Sequence, residues 1–169
     1  AFKELFKKLY NSKQVDFRQK DILFDTSDEY NFIFNTSINK IDECDFILLI
    51  GCNPRLEATI VNYRIRKAVN NGCNVYSIGD PGEQNYNYKI IGNNISVLDD
   101  LIHEKISESI VLKEAINPAI IIGESALQSN ISNYVISSVK YLLKKINKLN
   151  GFNILHQSAS NVGSLKLGL

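Results

Sequence analysis

Cys44, Cys52, Cys73, His103 and His156 are the residues of this chain with the widest chemical range. Thiolates and imidazoles ligate metals and clusters, and they serve as nucleophiles and bases. Their spacing argues against a common centre. Cys44 and Cys52 flank the apolar run Phe46–Ile50. As a strand, that run would hold the two thiols ~25 Å apart, at ~3.3 Å per residue. There is no Cys-x-x-Cys, and neither histidine has a partner at ligand spacing. Three cysteines, an odd number, also argue against a disulfide framework and for a reducing compartment. The thiols therefore read as small buried or loop residues. His156 follows a predicted strand, where acid–base work is conceivable. With no nucleophile or carboxylate in view, it reads as structural, and no catalytic set emerges.

A second kind of chemistry needs no side-chain cluster. A helix N-terminus holds phosphate through free N–H groups and roughly half a positive charge. The stretch DFILLIGCNPRLEATIVNYRIRKAVNNGCNVYSIGD, residues 45–80, offers one. FILLI is apolar throughout, the pattern of a strand covered on both faces. Gly51 permits a turn, and Pro54 suits the first helical position, where its missing N–H is not needed. Leu56, Ile60, Ile65, Ala68 and Val69 form the expected buried stripe, with Arg64, Arg66 and Lys67 outward. Asn71-Gly72 stops the helix, and residues 73–78 form the next strand. The unit is βαβ, with a right-handed crossover expected.

The rest of the chain follows the same alternation. Phe2, Leu5, Phe6 and Leu9 recur at helical spacing, and Asn11-Ser12 ends that helix. Residues up to Tyr30 are polar and mixed. Residues 32–34 read as a short extended piece, and Thr36 or Ser37 as the cap of a short helix carrying Ile38 and Ile41. Residues 79–94 read as a loop rich in Gly, Asn and Tyr. Val97, Leu101 and Ile102 predict a helix, which Ile106, Ile110 and Val111 either extend or follow with another. AIII, after Asn117-Pro118, is a second buried strand, and GESALQSN its exit loop. A helix spans about 130–150, with Val135, Val139, Leu142, Leu143 and Ile146 inward and Gly151 as its stop. Residues 153–155 form a further strand, and 157–169 a loop-like tail. This is a single α/β domain over 1–169, with a mainly parallel sheet flanked by helices.

Ligands of such sheets sit beyond the carboxyl ends of the strands, here at loops 51–55, 79–84 and 123–128. The first has one glycine, Gly51, where a dinucleotide fingerprint has three. Pro54 removes a donor, and Glu57 places a carboxylate in the first turn, worth ~0.3–1 kcal/mol against the dipole. Asn53 reads as an ordinary N-cap. The residues favour a capped helix over a phosphate cradle, although Arg55 would add charge to a cradle. Asp80 could accept from a ribose or guanine group, or simply open the turn at Pro81-Gly82. Gly123-Glu124-Ser125 permits close approach but lacks a cation. Lys140, Lys144 and Lys148 share a helix face, read first as solvated and second as a docking surface. Lys144, Lys145 and Lys148 also suit a helix C-terminus.

Composition narrows the classes. Hydrophobic residues make up 44% and charged residues 22% of 169, ordinary for a globular domain. A net charge of +1 gives no argument for nucleic acid. No apolar run approaches the ~20 residues of a membrane span, and no secretory signal is visible. Methionine is absent, position 1 included, as expected of a processed chain or a piece of a longer one.

Three stretches carry a family resemblance. IDECDFILLIGCNPRLEATIVNYRIRKA (41–68) resembles the molybdopterin-oxidoreductase-like half of the large iron–sulfur subunit of respiratory complex I. The shared pattern is an Asp-led apolar strand, G-x-NPR-x-E and N-x-RIRK, carried by Asp45, Gly51, Asn53, Pro54, Arg55, Glu57, Asn62, Arg64, Ile65, Arg66 and Lys67. IIGESALQSN resembles the family's G-x-SALQR-type loop, and NILHQSASNVGSLKLGL its LH-x-AS-x-V-x-ALDLG ending. The resemblance implies a Rossmann-like fold similar to the cofactor domains of formate dehydrogenase-type molybdopterin oxidoreductases. In active relatives the equivalents of 51–54, 79–81 and 161–168 hold a molybdopterin dinucleotide, which would make Gly51, Asn53, Pro54, Asp80, Asn161 and Gly163 contacts. Lys166 stands where the family usually has Asp.

The complex I members are understood to keep this domain without the molybdenum cofactor. The resemblance thus implies no cofactor, metal or catalytic residue in this chain, with iron–sulfur clusters in a partner half of the subunit. It implies contacts with that half and with other peripheral-arm subunits, and neither nucleic acid nor membrane insertion. Heavy use of Asn and Ile, as in translations of AT-rich DNA, and the NPR/RIRK wording suggest a mitochondrial complex I, with composition alone equally compatible with an AT-rich bacterium; for a mitochondrial member the resemblance implies the matrix side of the inner membrane. Two other readings stand beside this one: a molybdopterin-dinucleotide-binding oxidoreductase fragment, and a nucleotide-binding regulatory module.

Overall fold

A computed structural model describes residues 2–11, 22, 24–128 and 131–168. Its centre is a wholly parallel sheet of strands β1 (Phe46–Ile50), β2 (Asn74–Ile78), β3 (Lys89–Gly92), β4 (Pro118–Gly123) and β5 (Phe152–Leu155). They lie in the order β3-β2-β1-β4-β5. Every residue of β1, β4 and β5 is buried, as strands covered on both faces must be. Phe46, Leu48, Ile50, Ile120 and Ile122 turn to one face. There they meet helices α4 (Val97–Ile102), α5 (Glu108–Glu114) and α7 (Ser132–Lys145), through Leu98, Leu101, Leu112, Val139 and Leu142 among others. Ile47, Leu49, Val75 and Ile121 turn to the other face, under α3 (Thr59–Asn70) and Ile41.

The buried stripe of the first crossover differs from expectation. Helix α2 (Pro54–Glu57) is a single turn, and Ala58 leaves helical geometry at φ −151°, ψ 74° before α3 begins. The break resets the helical phase. Val61, Asn62, Ile65 and Ala68 are buried, whereas Leu56 and Ile60 are 80% and 65% exposed. The RIRK stretch has a packing role: Arg64 and Lys67 both reach Asp42 at 2.7 Å. This clamps the 3₁₀ turn Ile38–Glu43 onto α3. Ser37 precedes that turn but makes no side-chain cap, and Thr36 bonds Asn153 and Asn150 instead.

Other expectations shift as well. Residues 89–92 form the edge strand β3 rather than loop. Residues 124–127 form a helical turn, α6 (Glu124–Leu127), rather than an open exit loop, and the tail holds helix α8 (Asn161–Lys166). Two helices, α4 and α5, occupy 97–114. Helix α7 stops at Lys145, well before Gly151; Asn147 follows in the left-handed region at φ +57°, a usual place for Asn. The predicted start of that helix near residue 130 lies outside the described residues. Helix α1 (Phe2–Leu9) forms as expected, yet its Leu5 and Leu9 are exposed.

Candidate functional site

The strand order reverses between β1 and β4, because β2 lies on one side of β1 and β4 on the other. The crevice beyond those two strand ends is where such sheets bind ligands. Here the two loops approach each other closely. A Cβ on Gly123 would stand 2.2 Å from the Gly51 carbonyl oxygen and 2.6 Å from the Cys52 Cβ. A Cβ on Gly51, at φ +56°, would stand 2.7 Å from the Ala126 Cβ. The Ser125 hydroxyl donates to the Gly51 carbonyl, pinning one loop to the other.

The helix end after β1 is capped from within. The Asn53 side chain accepts from the Leu56 N–H at 3.2 Å, and Glu57 Oε1 accepts from the Asn53 N–H at 2.9 Å. Pro54 has no N–H to offer. Gln84 donates to Asn53 Oδ1 at 2.9 Å and to the Pro81 carbonyl at 2.8 Å, drawing loop 79–84 over the cap. Arg55 turns away to Glu83 at 3.2 Å. Asp80 accepts from the Gly82 N–H at 2.8 Å, so it builds the turn.

What remains at this edge is a shallow cleft of about 330 Å³ between the β1 and β2 exits. Gly51, Asn53, Asp80 and Glu57 line it, and no Lys or Arg is among its lining residues. A phosphate there would meet two carboxylates and amides already bonded. Asn161 lies elsewhere in the network: its Nδ2 sits 2.9 Å from His156 Nδ1. A Cβ on Gly163 would meet open space, and Lys166 pairs with Glu29. The residues present do not fit the phosphates of a molybdopterin dinucleotide.

His156 is not the isolated histidine its sequence neighbours suggest. Glu124, 1% exposed, lies 3.6 Å from its Nδ1. The pairing Gly123↔Leu155 places Glu124 and His156 side by side just past two adjacent strand ends. A histidine beside a buried carboxylate has the makings of a general base. Both ring nitrogens are engaged, however: Nε2 with the Phe32 carbonyl at 2.6 Å and Nδ1 with Asn161. Glu124 accepts from the Gln157 N–H at 3.0 Å. The cluster ties the strand ends to the segment before β1 and to α8. Parallel neighbours exiting in register are the signal that would have found it.

The cysteines are buried and reduced. Burial pushes the Cys44 and Cys73 thiols up to about 12, and Cys52 higher still. Among the described residues no three of His, Cys, Asp or Glu converge to hold a metal. Lys140 leaves the solvated face: it reaches Asn31 Oδ1 at 2.5 Å and lies 5.2 Å from the Phe152 ring centroid. Lys144 and Lys148 line a separate cleft at the opposite edge of the sheet.

The family model for molybdopterin oxidoreductases matches residues 1–169. This chain belongs to the molybdopterin oxidoreductase family. Curated proteins similar to it include the NADH-ubiquinone oxidoreductase 75 kDa subunit of Reclinomonas americana, 40% identical over 99% of this chain and 27% of that protein. An NADH-quinone oxidoreductase subunit of Rickettsia prowazekii is 36% identical over 98% of the chain and 25% of its own length. Its counterpart in Rickettsia bellii is 34% identical over 94% and 23%. The chain thus spans about a quarter of the length of these curated relatives.

Proposed function

We propose that this chain is a structural domain of the peripheral arm of respiratory complex I, the proton-pumping NADH:ubiquinone oxidoreductase. It lies on the matrix side of the mitochondrial inner membrane and does no redox chemistry itself. It packs against the iron–sulfur half of its subunit and against other peripheral-arm subunits, and the clusters reside in that partner half. The relatives named for NADH oxidation support the placement. The observation that supports the absence of chemistry is the self-capped loop after β1, whose donors serve Asn53 and Glu57 beside a cleft lined by no Lys or Arg. No described helix is long and apolar enough to cross a membrane, in keeping with attachment through other subunits.

The reading as a molybdopterin-dinucleotide-binding fragment, through Gly51, Asn53, Pro54, Asp80, Asn161 and Gly163, has less support, because the loop's donors serve its own cap. The test is to isolate the assembly containing this chain and measure NADH-to-quinone activity, molybdenum and released pterin. The chain is expected to co-purify with the activity, carrying neither molybdenum nor pterin. Stoichiometric pterin, or a chain that separates from the activity, overturns the proposal.

A further inference from the structure

The amino edge of the sheet, opposite the strand exits, carries its own concavity. It encloses about 710 Å³ between the turn Ile38–Glu43, the start of β4 and the segment after α7. Lys40 enters from the turn, Lys144 from the end of α7, and Lys148 from the segment beyond it. Among the described residues none of these three ammonium groups has an ion pair or hydrogen bond. Several lysines elsewhere are matched, Lys67 to Asp42, Lys89 to Glu108, Lys145 to Glu104 and Lys166 to Glu29, while Lys7 and Lys8 on α1, also unmatched among the described residues, do not line this cleft. Glu43 contributes the cleft's one carboxylate. The C-terminal dipole of α7 offers roughly half a negative charge, too little for three cations, and Lys40 belongs to another element.

The lining also selects among anions. It contains no aromatic side chain, so a nucleobase or ring would find no stacking face. Among the described residues the Asn147 and Asn150 side-chain amides and the Ser37 hydroxyl have no hydrogen-bond partner. Ammonium groups and amides side by side suit carboxylates carried on a polypeptide, whose backbone carbonyls accept from the amides. We propose that this cleft seats an acidic segment of another polypeptide, with its Asp or Glu carboxylates against Lys40, Lys144 and Lys148. The proposal rests on the chain working inside a multi-subunit assembly.

The test uses the intact assembly that contains the chain. A carbodiimide joins a lysine amine only to a carboxylate in contact with it, and mass spectrometry identifies the partners. Cross-links from Lys40, Lys144 or Lys148 to Asp or Glu of another polypeptide are expected. Those three amines should also be acetylated severalfold more slowly in the assembly than after its dissociation in urea. A Lys144→Glu, Lys148→Glu chain should lose the cross-links. Equal acetylation in both states overturns the proposal. So does protection without a cross-link: if phospholipase lifts it the occupant is a lipid phosphate, and if extensive dialysis lifts it a free anion. A chain that does not co-purify with NADH oxidation refutes the placement in complex I; a co-purifying chain with unprotected amines refutes only the acidic docking.

Discussion

A Cβ on Gly123 would stand 2.2 Å from the carbonyl oxygen of Gly51. These residues end β4 and follow β1, the two strands between which the sheet reverses its order. Their two loops touch backbone to backbone, and the Ser125 hydroxyl holds them together.

Gly123→Ala must therefore separate the two loops. The expected loss is roughly 1–3 kcal/mol, the usual cost of forcing extra carbon into a packed site. Gly51→Ala should lose at least as much, because φ +56° adds roughly 1–2 kcal/mol for an L-residue. Chemical denaturation of the purified chain measures both. Neutral substitutions would mean that the crevice opens freely, contrary to a space-filling role.

Asp45 spans from the start of β1 to the start of β4, its carboxylate oxygens 2.6 Å from the Ile116 N–H and 3.0 Å from the Asn117 N–H. Asp45 thus has a structural duty, aligning Phe46 with Pro118. Asp45→Ala should cost about 2 kcal/mol, since hydrogen bonds to a charged acceptor contribute roughly 1.5–3 kcal/mol. Asp45→Asn, which keeps one acceptor, should lose less. NADH-to-quinone turnover per intact assembly should be unchanged in both. Loss of turnover in correctly assembled particles would assign Asp45 a role beyond packing.

Fold class and the principal strands were legible because FILLI and AIII are apolar at every position, which only a doubly covered strand requires. The capped helix end was legible because Asn53, Pro54 and Glu57 are close in sequence and act on one turn. Edge strand β3 was not: Lys89 and Ile90 are exposed, and a short strand with one neighbour lacks a strong hydrophobic period. Leu56 and Ile60 fit a helical stripe only if the helix is continuous, and the break at Ala58 lies in dihedral angles rather than composition. Glu124 and His156 lie far apart in the chain and meet through the β4–β5 register, a long-range fact. Lys140 went astray because its partners, Asn31 and Phe152, come from distant elements.

Glu108 and Lys89 set a measurable pH dependence. The Lys89 hydrogen bond at 2.5 Å, more than any other influence, holds the Glu108 carboxyl below its ordinary 4.5. The same bond raises Lys89 above 10.5. Below 4.5 the unfolded chain binds a proton that the folded chain refuses, so stability falls as pH drops, until the folded carboxyl protonates too. On the alkaline side the Lys89 contribution is complete below 10.5 and is lost as pH rises through its raised value. Denaturation midpoints should therefore form a plateau around neutrality with a loss at each end. Glu108→Gln should lower the plateau and flatten both ends relative to wild type; parallel curves would show the pair to be energetically silent.

The thiols provide the last prediction. Burial, and after it Asp45 for Cys44 and Cys44 for Cys73, holds both thiols protonated and pushed up to about 12. Cys52 is raised further by burial and then by Glu57, and its Sγ lies 3.7 Å from the Ile121 carbonyl oxygen. Alkylation and cluster ligation both need the thiolate. In the folded chain at neutral pH all three cysteines should resist iodoacetamide, and unfolding in urea should release them together. Mass spectrometry of the alkylated chain counts the modified thiols directly. Rapid labelling of Cys52 in the folded state would mean that the β1–β4 exit admits small reagents. It would reopen the question of what that crevice binds, because Cys52 adjoins the Gly51 turn at its edge.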